Sequence, residues 1–166
     1  SYGFFGLSAV LGIFALIIML FKQNEKMKKS IKEMSYVSEM SLIIGLYLLT
    51  IGTFLGGMWA NESWGRYWSW DPKETWAFIS VIVYAIVLHM RLVPGLRGFW
   101  AFNVASMWAI WAIVMTYFGV NYYLSGLHSY AAGDPVPIPD WIYYALGFML
   151  FLTLISKFLP KYMSKK

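Results

Sequence analysis

Five of the nine tryptophans in this 166-residue chain fall between Trp59 and Trp76. The segment reads Trp59-Ala60-Asn61-Glu62-Ser63-Trp64-Gly65-Arg66-Tyr67-Trp68-Ser69-Trp70-Asp71-Pro72-Lys73-Glu74-Thr75-Trp76. Such a run sets large, flat apolar rings beside fixed charges. Trp64, Trp68, Trp70 and Trp76 supply ring surface, and Gly65 leaves room for a ring to come close. Arg66 and Lys73 supply cations that can pair with carboxylates. A flat, amphipathic ligand with acidic arms suits this chemistry, and haem is the obvious candidate. The plainer use of the same residues is an interfacial belt, in which Trp and Tyr keep their rings in lipid and their polar atoms wet. A belt needs only one or two aromatic residues per helix end, and this segment carries more.

Asp71 and Glu74 form a carboxylate pair, but their spacing points to structure before catalysis. Asp71-Pro72-Lys73-Glu74 reads as N-cap, N1, N2 and N3 of a helix. Asp is a strong N-cap, Pro suits N1, and Glu at N3 can return a hydrogen bond to the cap N–H. Pro72 also keeps Asp71 out of helical conformation. A rigid cap would fix where Trp70 and Trp76 point. Trp64 and Trp68 are spaced to share a face if the loop between them is helical. Arg66 and Lys73 have two readings: pairing with the acidic arms of a ligand, or with Glu62, Asp71 or Glu74.

His89 and His128 are the chain's two histidines. With a helix beginning at Pro72, His89 lies about 26 Å further along the axis, at roughly 1.5 Å per residue. His128 lies in a different connection, Gly126-Leu127-His128-Ser129-Tyr130. The two therefore cannot share one metal. Each can be a structural residue, His89 as a helix-terminal imidazole and His128 as an ordinary loop residue. Beside an aromatic platform, imidazole is a common iron ligand. A bis-histidine electron carrier would need paired histidines at matched depth, which this chain does not supply.

The elements that position these residues follow from composition. The chain is 60% hydrophobic and 13% charged, with mean hydropathy +0.59. Soluble domains run nearer to about 25% charged, so an all-α integral membrane protein is expected. Five apolar runs approach the roughly 20 residues needed to cross a bilayer: Tyr2–Phe21, Met40–Trp59, Pro72–His89, Phe99–Tyr117 and Trp141–Leu159. Helices are the expected form because the backbone must be satisfied within each segment. No internal repeat is visible, so residues 1–166 read as one membrane domain. It carries a Trp-rich loop at 59–76 and a His-bearing loop at 120–140.

Eleven of the thirteen basic residues fall on one side of this topology, leaving Arg66 and Lys73 on the other. By the positive-inside rule the Trp-rich loop and the His128 loop face outward and the C-terminus is cytoplasmic. The net charge of +5 follows from this bias. It suits anionic lipid headgroups and gives no sign of nucleic-acid binding. The absence of cysteine excludes a disulfide, a thiolate ligand or a cysteine nucleophile in this chain. The chain begins at Ser1 and reads as a piece of a larger membrane protein.

With these residues assembled, the chain resembles the haem-handling proteins of cytochrome c biogenesis. Their shared element is a Trp-rich external segment of the form W-G-x-x-W-x-W-D-x-K-E, matched here from Trp64 to Glu74 without departure. Leu88-His89-Met90-Arg91 and Gly126-Leu127-His128-Ser129-Tyr130-Ala131 look like the CcsA (ResC) type, often fused to a CcsB-like half. The resemblance implies that the Trp-rich loop cradles haem b at the outer surface of a bacterial inner membrane. It implies that His128 is one of two external iron ligands. His89 would be a transmembrane histidine of an inner haem entry site, with its partner in the CcsB (ResB)-like part. The implied activity is haem export and joining of haem to the Cys-x-x-Cys-His thiols of apocytochrome c, as part of a holocytochrome c synthase. The family's other external histidine would precede the first helix, and no histidine precedes it here. Alternatives are a haem-delivery subunit of the CcmC or CcmF kind, a haem-binding electron-transfer subunit, and a non-haem anchor or transporter subunit.

Overall fold

The computed structural model describes residues 1–124, 126 and 137–163. Its elements are α1 (Tyr2–Met19), α2 (Glu25–Trp64), α3 (Pro72–His89), α4 (Phe99–Val114), α5 (Val120–Tyr123) and α6 (Asp140–Met163). A 3₁₀ turn, Met90–Leu92, follows α3, and a π-helical turn, Met115–Gly119, joins α4 to α5. The described residues contain no strand, and five helical stretches are long and apolar enough to cross a membrane. The chain is an all-α membrane protein, as its composition requires.

Two boundaries differ from the sequence expectation. The second span extends far beyond Met40–Trp59, because α2 is a single helix of 40 residues. The Lys-rich stretch after Phe21 forms its first turns instead of a connection. The chain reverses in the few residues before Glu25. There the Gln23 amide donates to the carbonyls of Ile18 and Phe21 at 2.9 and 2.7 Å. Asn24 then caps α2 through Oδ1, which accepts from the Met27 amide at 2.8 Å. At roughly 1.5 Å per residue, α2 is about 60 Å long, twice the hydrocarbon thickness. The fourth span also outlasts its expected end at Tyr117, since the π turn carries the helix on to Tyr123.

α1 packs mainly against α2 and α4. Phe5 joins Leu42 and Leu49 of α2, Tyr84 and Val87 of α3, and Ala109 and Ile113 of α4 in one cluster. Phe5 and Tyr84 stack with ring centroids 3.8 Å apart. Nearer the other end, Leu16 packs with Met107 of α4 and with Met149 and Leu152 of α6. Lipid offers no hydrophobic drive between helices, so close approach and interhelical hydrogen bonds carry the association. Gly12 is needed where α1 meets α4: a Cβ there would stand 2.8 Å from the Asn103 carbonyl oxygen. Buried hydroxyls pair across helices, Ser8 with Ser38 at 2.7 Å and Ser80 with Thr116 at 2.9 Å. Asn103 donates to Ser35 Oγ at 2.8 Å. α6 is held to α4 by indole donors, Trp100 to Ser156 and Trp108 to Thr153, both at 3.0 Å.

Candidate functional site

The Trp-rich segment is mostly helix ends. Trp59 to Trp64 finish α2, and Pro72 to Trp76 begin α3, leaving Gly65 to Asp71 as the link. Gly65 stops α2 in a left-handed conformation, φ +69°, with its amide bonded to the Asn61 carbonyl at 2.8 Å. Its glycine requirement is therefore this left-handed turn. A Cβ at Gly65 would meet nothing within 4 Å, so the space beside it is open.

Because the link is not helical, Trp64 and Trp68 do not share a helical face. Trp64 packs edge-on against Trp59, centroids 5.1 Å apart. Trp68 packs edge-on against Trp70 at 5.8 Å and Phe78 at 6.4 Å. Trp70 adopts φ +57°, the one described non-glycine residue with a positive φ. It stays 69% exposed.

Trp68 divides two recesses. On one side an apolar groove of about 670 Å³ opens between α2 and α3. Thr53, Phe54 and Met58 of α2, Tyr67, Trp68 and Trp70 of the link, and Phe78 of α3 wall it. On the other side a smaller recess of about 320 Å³ is lined by Trp59, Trp68, Lys73, Glu74 and Thr116 among others. The groove falls in the size range of small-molecule sites. Its aromatic walls suit a flat apolar body, and the neighbouring Lys73 suits an acidic arm. Trp64 and Trp76 do not line the groove.

The cap forms as its spacing predicts. Asp71 Oδ1 accepts from the Lys73 amide at 2.9 Å. The Asp71 side chain also takes the Glu74 amide while Glu74 Oε2 accepts from the Asp71 amide at 3.3 Å, completing a capping box. Asp71 is buried. Of the two readings for the cations, pairing with Glu62, Asp71 or Glu74 does not form among the described residues. Lys73 Nζ donates to Asn121 Oδ1 of α5 at 3.3 Å, and it forms no ion pair with Asp71 or Glu74. Arg66 is exposed and makes no ion pair among the described residues.

His89 is the last residue of α3 and is exposed. Its Nδ1 lies 2.7 Å from the Ala85 carbonyl oxygen. A carbonyl can only accept, so Nδ1 carries the proton, and in the neutral ring Nε2 then presents a lone pair, the form that binds metal. Next to it Arg91 ion-pairs with the mostly buried Glu39 of α2. His128 lies outside the described residues. Gly126, two positions before it, rests against the cap: a Cβ there would collide with the Asp71 carboxylate and with Pro72 Cδ.

Sequence reasoning missed several of these residues. The α2 contribution to the groove could have been sought in the helix turns before Trp59. Asn121 and Gly126 carry no local signal, since their contacts to the cap are made across the chain.

The chain is similar in sequence to known proteins. The family described as "Cytochrome C assembly protein" matches residues 1–128. Protein NrfI of Wolinella succinogenes is 54% identical over 158 residues, covering 94% of this chain and 18% of that protein. The cytochrome c biogenesis protein CcsA of Cuscuta exaltata is 47% identical over 121 residues, 72% of this chain and 39% of its own length. CcsA of Prochlorococcus marinus strain MIT 9301 is 48% identical over 99 residues, covering 60% of this chain and 32% of that protein. The chain thus spans well under half of each of these relatives. With most of its length matched, the chain belongs to the cytochrome c assembly protein family.

Proposed function

We propose that this chain is the haem-holding part of a CcsA-type cytochrome c assembly protein. The observation that carries the reading is the apolar groove walled by Tyr67, Trp68, Trp70 and Phe78. Haem b is the substrate, its macrocycle lying against the Trp68 and Trp70 rings. Lys73 and Arg66 are the cations within this segment for its propionates, and carboxylate pairing with either would be charge-assisted. His128 is assigned as an axial ligand at this outer site. His89 is assigned to an inner site by which haem enters, its Nδ1 taken by the Ala85 carbonyl and its ring exposed at the end of α3. Apocytochrome c is the acceptor, in keeping with the cytochrome c biogenesis names of the relatives, and a CcsB-like half is assigned as the partner.

The chemistry asked of the chain is positioning. In thioether formation each thiol adds across a vinyl double bond: sulfur bonds one vinyl carbon and the hydrogen goes to the other. The addition needs no net oxidant. Holding the vinyl carbons beside the thiols makes the step effectively unimolecular. A rigid link between two helices suits that task better than a flexible loop.

Orientation rests on the basic residues. Lys26, Arg91, Arg97 and Lys157 fall at one end of the helices, whereas Arg66 and Lys73 fall at the other. In the full-length protein, freed of other reactive thiols, Ser63→Cys should label from outside with an impermeant reagent, and Lys26→Cys should not. Reversed labelling would place the groove inside and remove the outward-facing site. The function itself is read by co-expressing the full-length protein with a reporter apocytochrome c in a host lacking its own assembly system. Covalent haem on the reporter is expected, and apocytochrome alone would refute the reading.

A further inference from the structure

We propose that Glu74 is a positioning residue that holds the Trp70 ring in the groove wall; this rests on reading the groove as the haem platform. Trp70 needs such a hold. Its φ of +57° is a left-handed conformation that bulky residues rarely adopt, and such strain persists only where the surroundings over-determine it. The side chain does not supply that determination. The ring is 69% exposed and meets Trp68 edge-on, centroids 5.8 Å apart, instead of being enclosed by a core.

The backbone on either side does supply it. One oxygen, Glu74 Oε2, accepts from the Ser69 amide at 2.8 Å, the Ser69 hydroxyl at 3.1 Å and the Asp71 amide at 3.3 Å. These amides belong to the residues immediately before and after Trp70. Thr75 Oγ1 adds a donation to the Trp70 carbonyl at 3.2 Å. A capping box requires only the bond to the Asp71 amide. The two bonds to Ser69 reach further back, so that Glu74 holds the residue on each side of the strained one. Glu74 does this from the first turn of α3, a rigid element whose apolar positions pack on α2 and α4. An exposed ring held by its backbone is preorganised, so a ligand binding to it does not also have to order it.

The test uses the full-length protein labelled with 5-fluorotryptophan, its Trp70 line assigned by loss in Trp70→Phe. Glu74→Ala should shift or broaden the Trp70 fluorine line, leaving those of Trp100, Trp108 and Trp111 on α4 in place. Glu74→Gln keeps a carbonyl acceptor at the same reach and should restore the line toward its wild-type position. Retained haem should fall at least about fivefold in Glu74→Ala, the lower end of what releasing a strained conformation implies, and recover in Glu74→Gln. An unmoved Trp70 line in Glu74→Ala overturns the proposal. So does movement of the α4 lines along with it, which would make Glu74 a general folding residue. Should the Trp70 line move while haem content stays at wild type in both Glu74→Ala and Trp70→Ala, the hold on the ring stands and the haem platform falls.

Discussion

Trp68→Ala and Trp70→Ala each lower the haem retained by the full-length protein roughly thirtyfold, with insertion into the membrane unchanged. The size follows from removing a large ring from the wall of an apolar site, worth about 2 kcal/mol for a residue that anchors a ligand. Both rings line the groove between α2 and α3. Trp64→Ala should have a smaller effect on haem, because Trp64 packs on Trp59 and does not line the groove. Asp71→Ala differs in kind. It removes an N-cap from α3 and should lower stability by about 0.5–2 kcal/mol, read as an earlier thermal transition. The measurement is haem content per protein across the four variants. If Trp68→Ala and Trp70→Ala both retain full haem, the aromatic cluster is an interfacial belt and nothing more.

His89→Ala and His128→Ala should fail at different steps. His89 stands at the far end of α3 from the groove, about 26 Å from Pro72. Its protonated Nδ1 is occupied by the Ala85 carbonyl, so the ligand lost in the variant is the Nε2 lone pair. Haem reaching the outer site should fall, with the absorption spectrum of the remainder unchanged. His128→Ala should shift that spectrum and abolish maturation of a reporter cytochrome, while haem still enters. Added imidazole restores a nitrogen ligand and should rescue each variant at its own step. Loss of the same spectroscopic feature in both variants, and nothing else, would dissolve the two-site reading. No change in either would make both histidines structural.

Much of this arrangement was legible in the sequence because it is local. Asp71-Pro72-Lys73-Glu74 specifies a capped helix start from residue type and spacing alone, and α3 runs from Pro72 to His89 as expected. That fixed the separation of His89 from the Trp-rich segment. The span of α2 was harder. Lys26 to Lys32 is too polar to read as part of a membrane span, yet Glu, Lys, Met and Ile are good or adequate helix formers. With Asn24 as cap, they continue into the apolar run as one rod.

What was not legible depends on contacts between elements. No propensity places a tryptophan at φ +57°; the Trp70 conformation is imposed by Glu74 and Thr75 from the following helix. The expectation that Trp64 and Trp68 share a face failed because Gly65 ends α2 between them. Within the chain Lys73 was weighed against Glu62, Asp71 or Glu74, whereas its partner among the described residues is the neutral Asn121, delivered by the π turn after α4. The closeness of Gly126 to Asp71 likewise needs the fold.

The central claim is that this segment holds haem. The most direct measurement is a pyridine haemochrome spectrum of the purified full-length protein, with protein quantified in the same sample. The account predicts non-covalent haem b in near-stoichiometric amount, reduced in Trp68→Ala and Trp70→Ala. A protein purified from haem-replete cells that carries no haem, and takes up none when it is added, would contradict it.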